Sequence, residues 1–205
     1  MPTVLWARHG ENVANITRTF SYRVFDGDLT PTGRRQAREL AAQLARQADR
    51  SVAHLVCSPL RRARQTAEIV AQLLGLPIGA ELEGLRELNI GDLDGRSDAE
   101  AWAVYDSVLA AWQAGEVHAR FPGGEDCVEL HVRVSAALAA VAAAAGDGTA
   151  LIVAHGGALR MSLPLLTGDR DPGTDIPNGC YATLETGPAG ERPRLVSWPA
   201  AATGP

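Results

Sequence analysis

Residues 3–12 read TVLWARHGEN, an apolar run of strand length that ends abruptly in arginine, histidine and glycine. A strand interior has no use for that triplet, whereas a strand end lining a pocket does. The pattern returns at 149–157, TALIVAHGG, where a second apolar run delivers a histidine and two glycines. Between them, AHLVCS (53–58) reads as another buried strand and leads into SPLRRARQTA. Helical patterns alternate with these strands. Thr30 and Pro31 suit the N-cap and first position of a helix that carries Leu40, Ala41 and Leu44. The segment 59–75 reads as a second helix stopped by Gly75. Residues 97–116, 125–145 and 158–168 read as three more, the last bent at Pro164. CYATLET (180–186) and RLVSW (194–198) suit two further strands, and the tail from 199 is expected to fray. Such alternation predicts one α/β domain over 1–205: a three-layer α/β/α sandwich with a mostly parallel central sheet.

Composition narrows the function classes. The chain has 205 residues, 46% hydrophobic and 21% charged, with a formal net charge of −5, which argues against a nucleic-acid or membrane-surface binder. Every one of the 19 Lys and Arg residues is arginine, so an arginine gains significance only from its position. The RRAR run at 61–64 lacks interleaved aromatics and reads as a solvated helix face. Cys57, Cys127 and Cys180 are odd in number and widely spaced, which fits a reducing cytoplasm rather than a zinc ribbon or disulfide scaffold. No signal-peptide pattern is visible, and the longest apolar stretch, 136–145, is short for a membrane span.

Taken singly, RHG, SPLRRARQTA, RELNIG and AHGG each have a bland reading, since a lone histidine is more often structural than catalytic. Together they sit at strand-to-helix or loop junctions that an open sheet gathers at one edge. Two histidines, two arginines and a carboxylate suit a phosphoryl dianion. Arginine forks match its oxygens, and glycines after each histidine let backbone N–H groups approach an anion. A neutral imidazole serves as nucleophile, and a carboxylic acid protonates the leaving group and later deprotonates water. Clustered cations disfavour the imidazolium of His9, whereas a phosphoryl dianion favours a protonated His155; the sequence fixes neither state.

The ordered blocks RHGEN (8–12), DLTPTGRRQA (28–37), CSPLRRARQTA (57–67), LRELNIGDLDG (85–95), PGGED (122–126) and AHGG (154–157) resemble the histidine phosphatase superfamily, the phosphoglycerate mutase-like proteins. The resemblance covers nearly the whole chain. It implies His9 as a transiently phosphorylated nucleophile, Glu87 as proton donor, and Arg8, Arg62 and His155 as phosphoryl ligands, joined by Asn15 and Gly156. Of the adjacent arginines, Arg62 aligns with the family pattern and Arg61 falls on its variable position. The expected activity is metal-independent and cofactor-free hydrolysis of a small phosphate monoester. Only 68 positions separate Glu87 from His155, which favours the compact phosphatase branch over mutases with a longer insertion.

That interval is expected to form a small helical cap, about 96–126. Trp102 and Arg120 from it, with Tyr22 and Arg23 from the 10–28 connection, are the candidates for selecting substrate. Phe20, Tyr105, Trp112, His118 and Phe121 are further candidates, although Trp102, Tyr105 and Trp112 at helical spacing read first as packing. A mutase-type phosphotransferase and a non-catalytic phospholigand-binding protein on the same fold remain the alternatives. Oligomeric state, a homodimer included, stays open.

Overall fold

The computed structural model describes residues 1–47, 51–169, 176–187 and 191–198. Strands β1 (Thr3–Arg8), β2 (Val52–Cys57), β3 (Ile78–Glu81), β4 (Thr149–Ala154), β5 (Tyr181–Glu185) and β6 (Arg194–Ser197) form one sheet in the order β3-β2-β4-β1-β5-β6. The β3-β2, β2-β4 and β4-β1 pairs are parallel, and β5 and β6 add an antiparallel edge. The expected mostly parallel sheet is therefore present, and β3 supplies an edge strand between α3 and the Glu87 loop.

Period-two alternation in β1 explains how both faces are covered. Val4 and Trp6 join one apolar cluster with Ile152, Leu130, Val134, Leu138 and Leu159. Leu5 and Ala7 join the other with Leu151, Val153, Leu40, Leu44, Ala63 and Val70. Helices α2 (Pro31–Ala45) and α3 (Arg61–Leu74) supply the second cluster, while α5 (Cys127–Ala145) and α6 (Gly156–Thr167) supply the first. A fully buried Leu, Val or Ile side chain in these layers contributes about 1.5–3 kcal/mol. The helix ends follow the local chemistry. The Thr30 side chain caps α2 with Pro31 at its first position, and Gly75 closes α3 in the left-handed region at φ 68°. Helix α6 begins at Gly156, two residues earlier than its apolar pattern suggests, and runs through Pro164 to a left-handed Gly168. By length and apolarity alone α5 could cross a membrane, being longer than the apolar run at 136–145. Its Cys127, Leu130, Val134, Leu138 and Val141 stripe is instead buried in the core.

Two features of the 10–28 connection escape a reading by periodicity. It contains a short helix, α1 (Val13–Thr17), closed by a reciprocal Asn12–Asn15 capping box. It also lies under α4 (Ala99–Gln113), the helix of the expected cap. Phe20 packs on Trp102 at 4.3 Å and on Tyr105 at 5.1 Å, and the Trp102 Nε1 donates to the Arg18 carbonyl at 3.1 Å. The expected tail beyond Trp198 lies outside the described residues.

Candidate active site

Parallel register brings the three loaded strand ends together. Arg8 ends β1 opposite Ala154, and Cys57 ends β2 opposite Val153, so His9, Ser58 and His155 emerge side by side. The His9 backbone N–H donates to the Ala154 carbonyl at 2.9 Å, and the Gly179 N–H donates to the Arg8 carbonyl at 3.1 Å. Close approach explains two glycines. A Cβ on Gly10 would lie 2.3 Å from the Gly33 carbonyl oxygen, and one on Gly156 would lie 3.0 Å from Arg8 Cδ and Nε. The first pins the loop after β1 to the start of α2, and the second lets the Arg8 side chain lie against the α6 N-terminus.

His9 is 2% exposed, and its Nδ1 lies 2.7 Å from the Gly10 carbonyl oxygen. A carbonyl only accepts, so Nδ1 carries the hydrogen and Nε2 keeps its lone pair. That lone pair receives the Arg62 Nε–H at 3.0 Å. Burial, then the charges of Arg62 and Arg8, hold the His9 pKa well below 6.5, against a weaker raising effect of the Gly10 carbonyl. The His155 ring stands 5.2 Å away, centroid to centroid. Burial and then Arg62 likewise hold its pKa well below 6.5, which in the free protein opposes the protonated form that a phosphoryl dianion would favour. Arg62 is itself 3% exposed, and burial is the main cause lowering its pKa.

These shifts set a stability dependence. Above pH 6.5 both histidines are neutral folded and unfolded, and contribute no pH slope. Below 6.5 the unfolded chain takes up protons that the folded protein refuses, so stability falls as pH drops toward the folded pKa values. The slope expected is about 1.4 kcal/mol per pH unit for each histidine. Urea midpoints at pH 7 and pH 5.5 test it, and a His9→Asn/His155→Gln double variant should lose that slope.

Glu87 meets the cluster from the loop after β3. Its Oε1 accepts the Leu88 N–H at 2.9 Å and the Ala158 N–H at 2.6 Å, and its Oε2 accepts the Gly157 N–H at 3.1 Å. The Glu87 carboxyl group is therefore held by the first-turn amides of α6. Gly157 makes room, since a Cβ there would lie 2.8 Å from Glu87 Oε1. Asn15 is adjacent to His9 through Asn178, whose Nδ2 donates to the His9 carbonyl at 3.0 Å and to Asn15 Oδ1 at 3.2 Å. Arg8 Nη1 donates to the Ile176 carbonyl.

Several positioning groups are invisible to motif reading. Arg62 Nη1 donates to Ser21 Oγ at 3.0 Å and Asp26 Oδ1 at 3.3 Å, and its Nη2 donates to the Ser21 carbonyl at 3.0 Å. Asp94 accepts backbone N–H bonds from Tyr22, Arg23 and Val24 at 2.8, 2.6 and 2.6 Å. The 20–26 loop is thus clamped between the α3 arginine and the Glu87 segment. Arg133 on α5 fixes that segment in turn. It donates to the carbonyls of Gly84, Arg86 and Glu87 at 2.8–2.9 Å while paired with the buried Glu125 at 2.7 Å. Only the DLDG ending and the PGGED block hinted at Asp94 and Glu125; Ser21, Asp26 and Arg133 carried no signal.

The substrate-selecting candidates divide. Tyr22 is 7% exposed, with Arg23 5.3 Å and Arg86 6.0 Å from its ring, while Arg23 is exposed. Trp102 packs between Phe20 and Tyr105. Phe121 and Trp112 are core residues. Arg120 is engaged at the α5 N-terminus with Asp126 at 3.0 Å and Glu129 at 3.1 Å, and His118 faces the same Asp126. Tyr105 packs on Phe20 at 5.1 Å and stacks on Phe121 at 5.6 Å. Burial raises its pKa first, and the Glu87 charge raises it further.

A buried, neutral imidazole whose Nε2 lone pair accepts from Arg62, with a second guanidinium group close by and a carboxyl group held at a helix N-terminus, all at the carboxyl edge of a parallel sheet, defines a phosphoryl-transfer site. The chain belongs to the histidine phosphatase superfamily (branch 1), whose family model matches residues 4–200. It is 34% identical over 188 residues to the uncharacterized phosphatase PhoE of Bacillus subtilis, covering 90% of this chain and 89% of that one. It is also 35% identical over 168 residues to the probable phosphoglycerate mutase GpmB of Yersinia enterocolitica, covering 82% and 76%. Similar solved structures include a mycobacterial glucosyl-3-phosphoglycerate phosphatase in complex with VO3, at 26% identity and TM-score 0.80 over 97% of this chain and 99% of that one. A putative alpha-ribazole-5'-P phosphatase from Escherichia coli matches at 25% identity and TM-score 0.76, over 98% of both chains. The protein is a phosphatase-type enzyme of this superfamily.

Proposed function

We propose that the protein hydrolyses a small phosphorylated metabolite through a phosphohistidine at His9, without a metal ion. The observation that carries this reading is the His9 tautomer: Nδ1 is tied to the Gly10 carbonyl, and the Nε2 lone pair faces Arg62. Arg8 and Arg62 supply the positive charge that a metal would otherwise bring to the phosphoryl oxygens. In the first half-reaction the His9 Nε2–P bond forms and the ester P–O bond breaks, with the leaving oxygen taking a proton from Glu87. In the second, water attacks phosphorus, the P–N bond breaks, and Glu87 takes the water proton. Asn15 and the Gly156 backbone join Arg8, Arg62 and His155 around the phosphoryl group. Tyr22, Arg23, Trp102 and Arg120 are retained as candidate substrate contacts, with Arg120 least supported because of its pairing at α5. The buried, widely separated cysteines support a cytoplasmic site of action.

The GpmB relatives support a second reading, in which a hydroxyl of the substrate replaces water as acceptor and phosphate moves rather than leaves. Phosphate release from a panel of monoesters in EDTA separates the two. Free phosphate supports the hydrolase, positional exchange without release supports the mutase, and tight binding without either supports a phospholigand-binding role. Within the panel, Glu87→Gln keeps an acceptor oxygen but cannot exchange a proton. It is expected to slow alkyl phosphates by roughly 10²- to 10³-fold and activated aryl phosphates far less. Equal losses for both ester types would remove Glu87 from the acid role.

A further inference from the structure

Ser58 and His155 form a buried pair of which the chemistry above uses only the histidine. Both are 0% exposed, and His155 Nε2 lies 2.7 Å from Ser58 Oγ. The Leu60 backbone N–H, at the start of α3, donates to the same oxygen at 3.2 Å. The other ring nitrogen, His155 Nδ1, is buried with no hydrogen-bond partner among the described residues. The parallel register of β2 and β4 sets this arrangement, because Cys57 opposite Val153 puts the following residues of the two strands side by side.

Hydrogen counting selects one direction for the Ser58–His155 bond. If the imidazole donated from Nε2, the Ser58 hydroxyl hydrogen would be left in a fully buried position without an acceptor among the described residues. If the hydroxyl donates to Nε2, Ser58 uses its hydrogen on His155 and accepts from Leu60. The imidazole hydrogen must then sit on Nδ1, the nitrogen that lacks a partner. A buried N–H without an acceptor costs free energy that an arriving phosphoryl oxygen would recover.

We propose that Ser58 is a positioning residue that holds His155 in its Nδ1–H form, so that His155 meets the phosphoryl group as a neutral donor. The proposal rests on the phosphoryl-transfer reading of the site, but its direct readout does not. Imidazole 15N resonances distinguish a protonated from an unprotonated ring nitrogen, and the His155 signals are those lost in His155→Gln. In the free wild-type protein at pH 7.5, His155 is expected with Nδ1 protonated and Nε2 bare. Ser58→Ala should move the hydrogen to Nε2 or mix the two forms, and should lower kcat by roughly 10- to 100-fold with little change in KM. Ser58→Thr, which keeps the hydroxyl, should retain the Nδ1–H form, and an unchanged far-UV spectrum and His9 resonance would show that the alanine variant is folded. Protonated Nε2 in the wild type, or an unchanged tautomer in folded Ser58→Ala, would overturn the proposal. The expected tautomers in a wild type that hydrolyses and transfers no ester would leave the positioning role standing and sink the phosphatase reading.

Discussion

His9→Ala is expected to lower phosphate release by roughly 10⁴-fold or more while the protein stays folded, because no other group can take its place in a two-step transfer. The nearest candidate, His155, has its Nε2 occupied by Ser58. Removing the imidazole leaves a small void and frees the Arg62 Nε–H and the Gly10 carbonyl, both of which water can satisfy in an opened site. The fold should therefore survive, as circular dichroism and a cooperative thermal transition would show. His9→Asn, which keeps polar atoms in the space, guards against a loss caused by repacking. The companion measurement is trapping of the intermediate: rapid acid-free quenching of wild type with substrate should yield an alkali-stable phosphoryl signal that both variants lack. A variant that retains turnover, or a wild type that releases phosphate with no such intermediate under single-turnover conditions, would replace covalent catalysis with direct attack by water.

Arg62→Ala should be nearly as severe, for a different reason. The side chain is 3% exposed and ties four groups together: His9 Nε2, Ser21 Oγ, the Ser21 carbonyl and Asp26. Truncation removes the proposed phosphoryl ligand, which alone should cost on the order of 10²- to 10³-fold in kcat. It also releases the 20–26 loop on one side, leaving the Asp94 cradle, the Arg61 backbone N–H on Asp26 and the packing of Phe20 to hold it. Unfolding stability should fall by roughly 2–3 kcal/mol, since a buried cation and its hydrogen bonds disappear together. The His9 pKa should rise, because Arg62 is the second largest cause of its depression. Arg62→Lys keeps the charge but cannot make the fork, so activity should remain at least tenfold down while the His9 pKa stays low. Measuring the His9 titration by NMR beside kcat separates these roles; a pKa unchanged in Arg62→Ala would contradict the electrostatic account.

The candidate site was largely legible because its parts are local. RHG after an apolar run, SPLRRARQTA after another and AHGG after a third each mark a strand running into a turn, and Thr30-Pro31 marks a helix start by its own chemistry. The 3.6-residue stripe of α2 and the uninterrupted apolar strands are properties of a few consecutive residues, and they appear in the structure close to where they read. Arg62 was separable from Arg61 only through the family pattern. The structure supplies the physical reason, since Arg61 is exposed and paired with Asp28 whereas Arg62 turns inward to His9.

What the chain's sequence determined by itself is which residues stand at strand ends, and hence that two histidines, two arginines and a carboxylate would share one edge of a parallel sheet. Tertiary structure alone decided how they are held. Strand order places β4 between β1 and β2, so that Ser58 meets His155 across 97 positions, Arg62 meets Asp26 across 36, and Glu87 meets the α6 amides across 70 and 71. The same order sets the His155 ring against Ser58, whereas the Nδ1 contact of His9 with the Gly10 carbonyl is local to the turn after β1. Periodicity and turn chemistry act over a few residues, whereas these contacts follow from which strands pair and in what register. That choice belongs to the packed sheet, where both faces of β1 are buried and a slip of one residue would turn Trp6 from one core to the other.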